Sequence, residues 1–238
     1  MTIIEQSSPN FNDRAAPISA LVLHYTGMKS GVAAIERLCD PVSEVSSHYV
    51  VEEDGRVFRL VSEDKRAWHA GRSHWSGTED LNSISIGIEI VNPGHEFGYR
   101  SFAAAQMSAV AALCRDIIAR HKIPAQNVLA HSDIAPARKE DPGELFDWKM
   151  LAGQGVGLWP SVIDADRAKG EAYLSDEARL REALTRYGYD PRVSTDILLR
   201  AFQRHFHQEV FSKPDSIGVI SVETGGRLAS LLRLKSQK

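Results

Sequence analysis

Short apolar runs alternate with helical patterns over the first two thirds of the chain. The runs "ISALVLHY" (18–25) and "SISIGIEIV" (83–91) have the length and the β-branched content of buried strands. We expect the second run to be central in a sheet. The segment "SSHYVVEEDGRVFRLV" (46–61) predicts two strands joined at Asp54-Gly55, which is a strong hairpin signal.

The clearest helical periodicity covers 102–121, where apolar residues recur at helical spacing after Ser101, the predicted N-cap. "GVAAIERLCD" predicts a shorter helix that stops before Pro41. A last short strand, "NVLAH" (127–131), leads into a loop rich in proline and charge. Strands that alternate with helices predict an α/β domain, here over residues 1–160.

The pattern changes after "AGQGVGLWP" (152–160), a glycine-rich exit from that domain. Three helix-like segments follow, with a serine as the candidate N-cap of each. They lie near 175–187, 194–209 and 221–235, after Ser175, Ser194 and Ser221. We therefore expect a linker over 161–174 and a small three-helix domain over 175–238.

Composition narrows the class of protein. The chain has 238 residues, of which 43% are hydrophobic and 25% charged, and a formal net charge of −3, which argues against a nucleic-acid partner. We expect no transmembrane segment, because no apolar run approaches about 18 residues. No secretory signal is visible and Cys39 and Cys114 are too few for a disulfide framework, so we favour a cytoplasmic protein. A periplasmic protein exported by another route is the alternative.

Three residues have the chemistry of metal ligands. His24 ends the first predicted strand, His131 ends the last, and Asp141 lies in the loop that follows. Catalytic zinc takes three such ligands and keeps a fourth position for water. A lone histidine is more often a structural, hydrogen-bonded residue, however, and spacing alone cannot bring the two histidines together.

Four motifs carry a resemblance to a known family. "LVLHYTG", "WHAG", "SIGIEIVN" and "HSDIAPARKEDPG" resemble, in this order, the zinc-dependent N-acetylmuramoyl-L-alanine amidases of the type-2 amidase family. That family is related to T7-type lysozyme and the peptidoglycan recognition proteins. The resemblance runs from Ser19 to Trp159 and implies a central mixed β-sheet flanked by helices. In the tail, "LREALTRYGY" and "LLRAFQRHF" resemble a three-helix peptidoglycan-binding domain.

The resemblance also implies the reaction and its residues. His24, His131 and Asp141 correspond to the ligands of one zinc ion (Zn2+) per chain, Glu89 to the catalytic glutamate, and Lys139 to the lysine that assists the transition state. The implied reaction cleaves the amide bond between N-acetylmuramic acid, or its 1,6-anhydro form, and L-alanine. The implied partners are peptidoglycan or anhydromuropeptides.

The position before the hairpin histidine departs from some relatives, which carry a catalytic tyrosine there. In this chain Ser47 precedes His48, and Tyr49 follows it. We therefore assign the acid–base role to Glu89 and expect His48 to be structural or to support the site. An unpaired carboxylate in an apolar strand would be costly without such a role.

Substrate contacts are predicted at five positions in or beside the motifs. These are Trp68, His69, Trp75, Asn92 and Arg138. We expect Trp75 to face a sugar ring and Arg138 to pair with a stem-peptide carboxylate; a packed histidine and a solvated arginine are the alternatives for His69 and Arg138. Asp133 is a candidate for orienting a ligand.

Two alternatives stay open at this point. The chain could be a non-catalytic peptidoglycan recognition protein, although such proteins typically lack a ligand and this chain keeps all of them. The tail could mediate oligomerisation or pack onto the first domain instead of binding cell wall. The sequence does not show whether the sugar must be the 1,6-anhydro form or whether the substrate is soluble or polymeric. It does not show the oligomeric state either.

Overall fold

A six-stranded mixed sheet lies at the centre of the protein, in a computed structural model that describes residues 2–236. The strands are β1 (Ile3–Glu5), β2 (Phe11–Asp13), β3 (Ala20–Tyr25), β4 (Tyr49–Val51), β5 (Val57–Arg59), β6 (Lys65–Ala67), β7 (Ser85–Ile90) and β8 (Val128–Ala130). The order in the sheet is β1-β5-β4-β7-β3-β8, with β4 and β5 antiparallel and the other neighbours parallel. A separate antiparallel pair joins β2 and β6.

The predicted hairpin and the predicted central strand are both confirmed. Strands β4 and β5 form the predicted hairpin, and Gly55 in its turn has a φ of 87°, a conformation that glycine adopts without strain. Strand β7 lies between β4 and β3, and every residue in it except Glu89 is buried.

Helices cover both faces of the sheet, as predicted. Their bounds are α1 (Gly31–Cys39), α2 (Leu81–Ile84), α3 (Gly94–Phe97), α4 (Ala104–His121), α5 (His131–Ile134), α6 (Trp148–Gly153), α7 (Asp164–Ala172), α8 (Glu177–Tyr187), α9 (Thr195–Phe206) and α10 (Val222–Lys235). The longest, α4, buries the predicted apolar stripe against the sheet.

The predicted N-cap of the longest helix is wrong. Helix α4 begins after Ala103, which makes no side-chain capping bond, so Ser101 lies outside the helix. Between them, Phe102 packs edge-on against Phe146 with ring centroids 5.0 Å apart. That contact holds the chain outside the helix for two more residues.

The three predicted tail helices are present with small shifts at their ends. Ser221 caps α10 by accepting a hydrogen bond from Thr224 N–H, as expected. At the start of α8 the cap is Asp176 and not Ser175, and Ser194 stands at the N-cap of α9 without a side-chain bond.

A further helix, α7, lies within the segment predicted to be a linker, and that prediction is wrong for 164–172. The helix has no apolar stripe for sequence analysis to detect. It packs closely on α10 through small residues instead: a Cβ placed on Gly170 would lie 2.4 Å from the backbone nitrogen of Gly226. The contact therefore requires glycine.

The C-terminal helices share a hydrophobic core with one face of the sheet. One hydrophobic cluster joins Leu184, Phe202 and Leu228 of the tail to Val22 and Leu129 of the strands. The opposite face of the sheet packs against α4. This contact agrees with the alternative in which the tail packs onto the first domain. Within residues 2–236, no helix combines the length and the apolar character needed to cross a membrane.

Candidate metal centre

Strand register brings the key side chains together. His24 pairs with Glu89 across the parallel strands β3 and β7. On the other side of β3, Leu23 pairs with Ala130 at the end of β8, so His131 follows beside His24. The carboxyl ends of parallel strands meet at one edge of a sheet, where α/β folds collect functional groups. One row across this edge thus holds His131, His24 and Glu89.

The third candidate ligand returns to this row through the loop. Ser132 N–H donates a hydrogen bond of 3.0 Å to the carbonyl oxygen of Asp141, which folds the loop back beside α5. Asp141 Oδ2 then lies 2.9 Å from His131 Nδ1 and 3.1 Å from His24 Nδ1, and the two nitrogens are 2.9 Å apart. All three residues are buried.

These three atoms can hold a zinc ion. Ligand atoms about 2.0–2.1 Å from tetrahedral zinc lie roughly 3.3 Å from one another, close to the separations found. Two nitrogen lone pairs and a carboxylate oxygen that face one another repel unless a cation lies among them. The donor set, two imidazoles and one carboxylate, is one that catalytic zinc sites use.

His69 orients His24. Its Nδ1 lies 3.0 Å from His24 Nε2, and its Nε2 lies 3.2 Å from Ser85 Oγ. If His24 Nε2–H donates to His69, the Nδ1 atom of His24 keeps its lone pair toward the metal position. Gly87 leaves the space for this ring, because a Cβ there would lie 2.5 Å from His69 Cγ.

His131 is oriented in the same way by the backbone. Its Nε2 lies 3.2 Å from the carbonyl oxygen of Ala70 and can only donate to it, which leaves Nδ1 free of a proton for ligation.

Burial and the neighbouring His131 lower the pKa of His24 to about 4, so the ring of His24 is neutral at pH 7. Neutral imidazole is the form that binds metal.

The pKa values of the two carboxyl groups are shifted in opposite directions. Burial by itself raises the pKa of Asp141, but His131 and His24 outweigh this effect and hold the pKa well below its usual value. Burial and the nearby Asp141 raise the pKa of Glu89 well above its usual value, against the opposing effect of Lys139. Glu89 Oε2 is buried and, among the described residues, has no hydrogen-bond partner. Two carboxyl groups with opposite shifts are suited to different tasks.

An open cleft of about 780 Å³ leads to this edge of the sheet. Among the predicted residues, Lys139, Arg138, Trp68 and His69 line it together with Glu89. The indole of Trp68 donates to Asn12 Oδ1 at 2.8 Å, and Arg138 Nη2 donates to the carbonyl oxygens of Ala70 and Arg72 at 2.6 and 2.7 Å. Arg138 therefore supports the loop that holds His69.

The prediction that Trp75 faces a sugar ring is wrong. Trp75 is 3% exposed and packs edge-on against Tyr187 and Tyr189 of the tail, with ring centroids 5.7 and 5.2 Å away. It anchors the C-terminal helices to the first domain.

The prediction that Asn92 contacts substrate is also wrong. Its side chain is buried, donates to the carbonyl oxygen of Arg100 at 2.7 Å and accepts from Gly94 N–H at 3.1 Å. Both ends of the amide are thus used to shape the loop that follows β7.

His48 and Tyr49 take no direct part in the row of ligands. His48 Nδ1 accepts from Gly87 N–H at 2.9 Å, and the ring packs edge-on against His69 at 5.7 Å, which agrees with the expected supporting place. The hydroxyl of Tyr49 donates to Glu63 at 2.7 Å and not to any group in the cleft.

Sequence reasoning missed several residues that line the cleft. Tyr25 and Thr26 directly follow His24, and Arg37 and Leu38 come from α1. Tyr25 and Thr26 directly follow a candidate ligand at a strand end, and this position in the sequence is a signal that they lie near the site. The place of α1 over the cleft depends on tertiary packing and had no local signal.

Comparison with known proteins finds similarity over most of the chain. The family model described as N-acetylmuramoyl-L-alanine amidase matches residues 14–144. A protein named N-acetylmuramoyl-L-alanine amidase AmiD, from Escherichia coli (strain K12), is 41% identical over 221 residues, which cover 82% of this chain and 77% of the relative. A 1,6-anhydro-N-acetylmuramyl-L-alanine amidase, AmpD of Salmonella typhimurium (strain SL1344), is 42% identical over 44% of this chain and 54% of its own length.

Solved structures give the same picture. The crystal structure of AmpDh3 from Pseudomonas aeruginosa superposes with a TM-score of 0.82 at 35% identity and covers 92% of both chains. AmiD from E. coli, in complex with the substrate anhydro-N-acetylmuramic acid-L-Ala-D-gamma-Glu-L-Lys, has a TM-score of 0.78 at 38% identity and covers 95% of this chain and 94% of that one. At this coverage the likeness includes the C-terminal helices.

Proposed function

The chain belongs to the N-acetylmuramoyl-L-alanine amidase family, and from this premise we propose that it hydrolyses the amide bond between N-acetylmuramic acid and L-alanine. We include the 1,6-anhydro sugar, because relatives and a substrate complex carry that group in their names. Peptidoglycan fragments are then its substrates, and zinc its cofactor.

One observation carries the proposal. Three ligand atoms of His24, His131 and Asp141 converge within 3.1 Å of one another at the end of an open cleft, beside Glu89, whose carboxyl oxygen Oε2 is buried and whose pKa is raised. A binding protein has no need for a general base next to a metal site. The arrangement therefore favours catalysis over recognition alone.

His24, His131 and Asp141 are the residues that would hold the zinc. A bound zinc ion supplies two kinds of chemistry at such a site: it lowers the pKa of its water to about 7 and polarises the carbonyl group of the substrate. His69 and the carbonyl oxygen of Ala70 fix the rings of the two histidines from behind.

Glu89 moves the proton in the proposed mechanism. Its carboxylate takes a proton from the attacking water and returns it to the nitrogen of the departing L-alanine amine. A raised pKa suits this double role, because the group must both accept and release the proton near neutral pH. Lys139 lines the same cleft, and its ammonium group stabilises the negative charge that develops on the amide oxygen.

Mass spectrometry of the reaction products tests the proposal. The full chain with zinc is incubated with an anhydromuropeptide and, in parallel, with polymeric sacculi. We expect release of a free peptide with L-alanine at its amino end and of the matching sugar. Binding of either substrate without cleavage would favour the recognition class instead.

The same experiment addresses the substrate size and the compartment. Cleavage of the soluble substrate alone would support cytoplasmic recycling of muropeptides, and cleavage of sacculi would support a periplasmic wall enzyme. We also propose that residues 175–238 bind peptidoglycan. The Glu89→Gln variant, which we expect to be inactive, should then stay bound to sacculi.

A further inference from the structure

The loop that carries two of the three candidate ligands has little regular structure of its own. Between β8 and α6, residues 131–147 contain only the short helix α5 and a series of turns. Such segments are usually mobile unless side chains from elsewhere hold them. His131, Lys139 and Asp141 nevertheless need fixed positions for the proposed chemistry.

Asp133 forms hydrogen bonds that hold this loop in place. It lies two residues after His131 in α5 and is fully buried. Its Oδ2 accepts a hydrogen bond of 2.8 Å from Ala130 N–H, at the junction of β8 and α5. This bond fixes the backbone on the N-terminal side of His131.

Two residues of the C-terminal part of the chain, Tyr189 in the turn after α8 and His205 in α9, complete the hydrogen bonds of Asp133. Tyr189 Oη donates to Oδ1 at 2.7 Å, and His205 Nδ1 lies 2.7 Å from Oδ2. A buried carboxylate is tolerated only when its oxygens are paired. Without the tail, Asp133 would lose two of these three partners and could not keep its position.

The ring of His205 is itself held in one orientation. It stacks on Trp148, with centroids 3.7 Å apart, and on the adjacent Phe206 at the same distance. Trp148 is the first residue of α6, directly after the loop. His205 thus contacts α5 near the beginning of the loop and α6 at its end.

Neighbouring residues of the tail contact the middle of the loop. Arg204 Nε donates to Glu144 Oε2 at 3.2 Å, and Gln208 Nε2 donates to the carbonyl oxygen of Phe146 at 2.7 Å. These contacts are hydrogen bonds, which require a defined orientation of donor and acceptor. The contacts between the tail and the sheet are apolar and have no such requirement.

We propose that Tyr189 and His205 are positioning residues for the metal site, which they reach through Asp133 and His131. The C-terminal helices then contribute to metal affinity as well as to any contact with the cell wall. This inference rests on the proposed function, since it takes the three ligands as a zinc site. Neither residue lines the cleft or belongs to the candidate ligand set, so we assign them positioning roles and not catalytic ones.

Zinc affinity of the folded full-length chain tests the inference. Zinc is titrated in competition with a chelator, and the melting temperature of each zinc-free variant is recorded beside it. We expect His205→Leu to weaken zinc binding by about 10–100-fold, the usual effect of removing a partner that orients a ligand. Tyr189→Phe removes one hydroxyl group, keeps the ring packed on Trp75, and should weaken binding in the same direction.

Two further variants separate positioning from general destabilisation. His205→Asn keeps an N–H donor near the place of Nδ1 and should restore most of the zinc affinity that His205→Leu loses. His207 is the matched control: it is also buried, and its Nδ1 bonds to Thr224 within the tail, 2.8 Å away. His207→Leu should lower the melting temperature and leave zinc affinity unchanged.

Hydrogen exchange gives a readout that needs no metal. In the zinc-free protein, amides of 131–147 should exchange faster in Tyr189→Phe and His205→Leu than in the wild type or in His207→Leu. Tyr189→Phe decides the matter if His205→Leu does not fold.

Wild-type zinc affinity in folded Tyr189→Phe and His205→Leu would overturn the inference and leave the proposed function intact. An equal loss in His207→Leu would overturn it too, as a general effect of stability. A wild-type chain that binds no zinc would instead remove the proposed function, and this inference with it.

Discussion

The two halves of the proposed metal site are held in different ways. His24 and Glu89 lie on neighbouring parallel strands, where backbone hydrogen bonds of the sheet fix their separation. Asp141 and Lys139 lie in the loop 131–147, which is held by side chains of the C-terminal part of the chain. His131 stands at the boundary, in register with the sheet but at the first position of α5.

This difference has a physical consequence. A sheet position is set by many backbone bonds, so one side-chain change near a strand end has local effects. A loop position depends on a few side-chain contacts from distant parts of the chain, and loss of one contact can move several functional groups together. We therefore expect the strand half to respond to changes in chemistry, and the loop half to respond also to changes far from the cleft.

The largest effect is expected when a ligand is removed from either half. His24→Ala and Asp141→Ala should each lose zinc and activity together, because three protein ligands are the usual number for a catalytic zinc site. Elemental analysis of the purified variants beside a rate assay checks this prediction. Glu36→Ala, an exposed residue of α1 that does not line the cleft, is the control that should keep both. Full zinc occupancy in Asp141→Ala would remove the loop half from the site.

The second largest effect is expected for Glu89, which lies in the strand half. Glu89→Gln keeps the shape of the side chain but cannot move a proton, so turnover should fall by about 10²–10⁴-fold while zinc stays bound. The KM for an anhydromuropeptide should change little, since the lost interaction acts in the transition state. Turnover at the wild-type rate would show that Glu89 is not the general base.

A somewhat smaller effect is expected for the charged residue of the loop half. Lys139→Ala should reduce turnover by about 10²–10³-fold with zinc retained, by comparison with the loss of other groups that stabilise an oxyanion. Lys149→Ala, an exposed lysine in α6, is the matched control and should leave the rate unchanged. Equal rates in the two variants would contradict the role of Lys139.

The smallest effect tests how the strand half is supported. In Gly87→Ala the new methyl group would meet the ring of His69, which must move away from His24. We expect zinc affinity to weaken by about 10–100-fold, as for other groups that orient a ligand. Gly153→Ala places a methyl group where nothing lies within 4 Å and should bind zinc normally. Unchanged affinity in Gly87→Ala would mean that His69 does not orient His24.

The strand half was also the more predictable half from sequence. Apolar runs ending in His24 and His131, and the run containing Glu89, predicted strands that the structure confirms. Their order in the sheet required the whole fold, because pattern alone does not say which strands are neighbours. The roles of these residues came only from the family resemblance and stay predictions.

Three features that the sequence did not reveal share one cause, which is a contact between residues far apart in the chain. Trp75 looks like an exposed loop aromatic in sequence, but Tyr187 and Tyr189 of the distant tail bury it. Helix α7 has no apolar stripe, because it packs on α10 through glycine. The contact of His205 with Asp133 has no sign in the sequence, since the two residues lie far apart in the chain. Contacts between residues distant in sequence leave no local signal.

The most direct test of the account is X-ray absorption at the zinc edge on the wild-type protein. With one zinc per chain, the account predicts two imidazole rings and oxygen ligands at about 2.0–2.1 Å, which are His24, His131, Asp141 and water. The Asp141→Ala chain should show no comparable bound zinc. Three imidazoles in the wild type would place His69 in the ligand set, and a single imidazole would exclude His24 or His131 from it; either result would contradict the account.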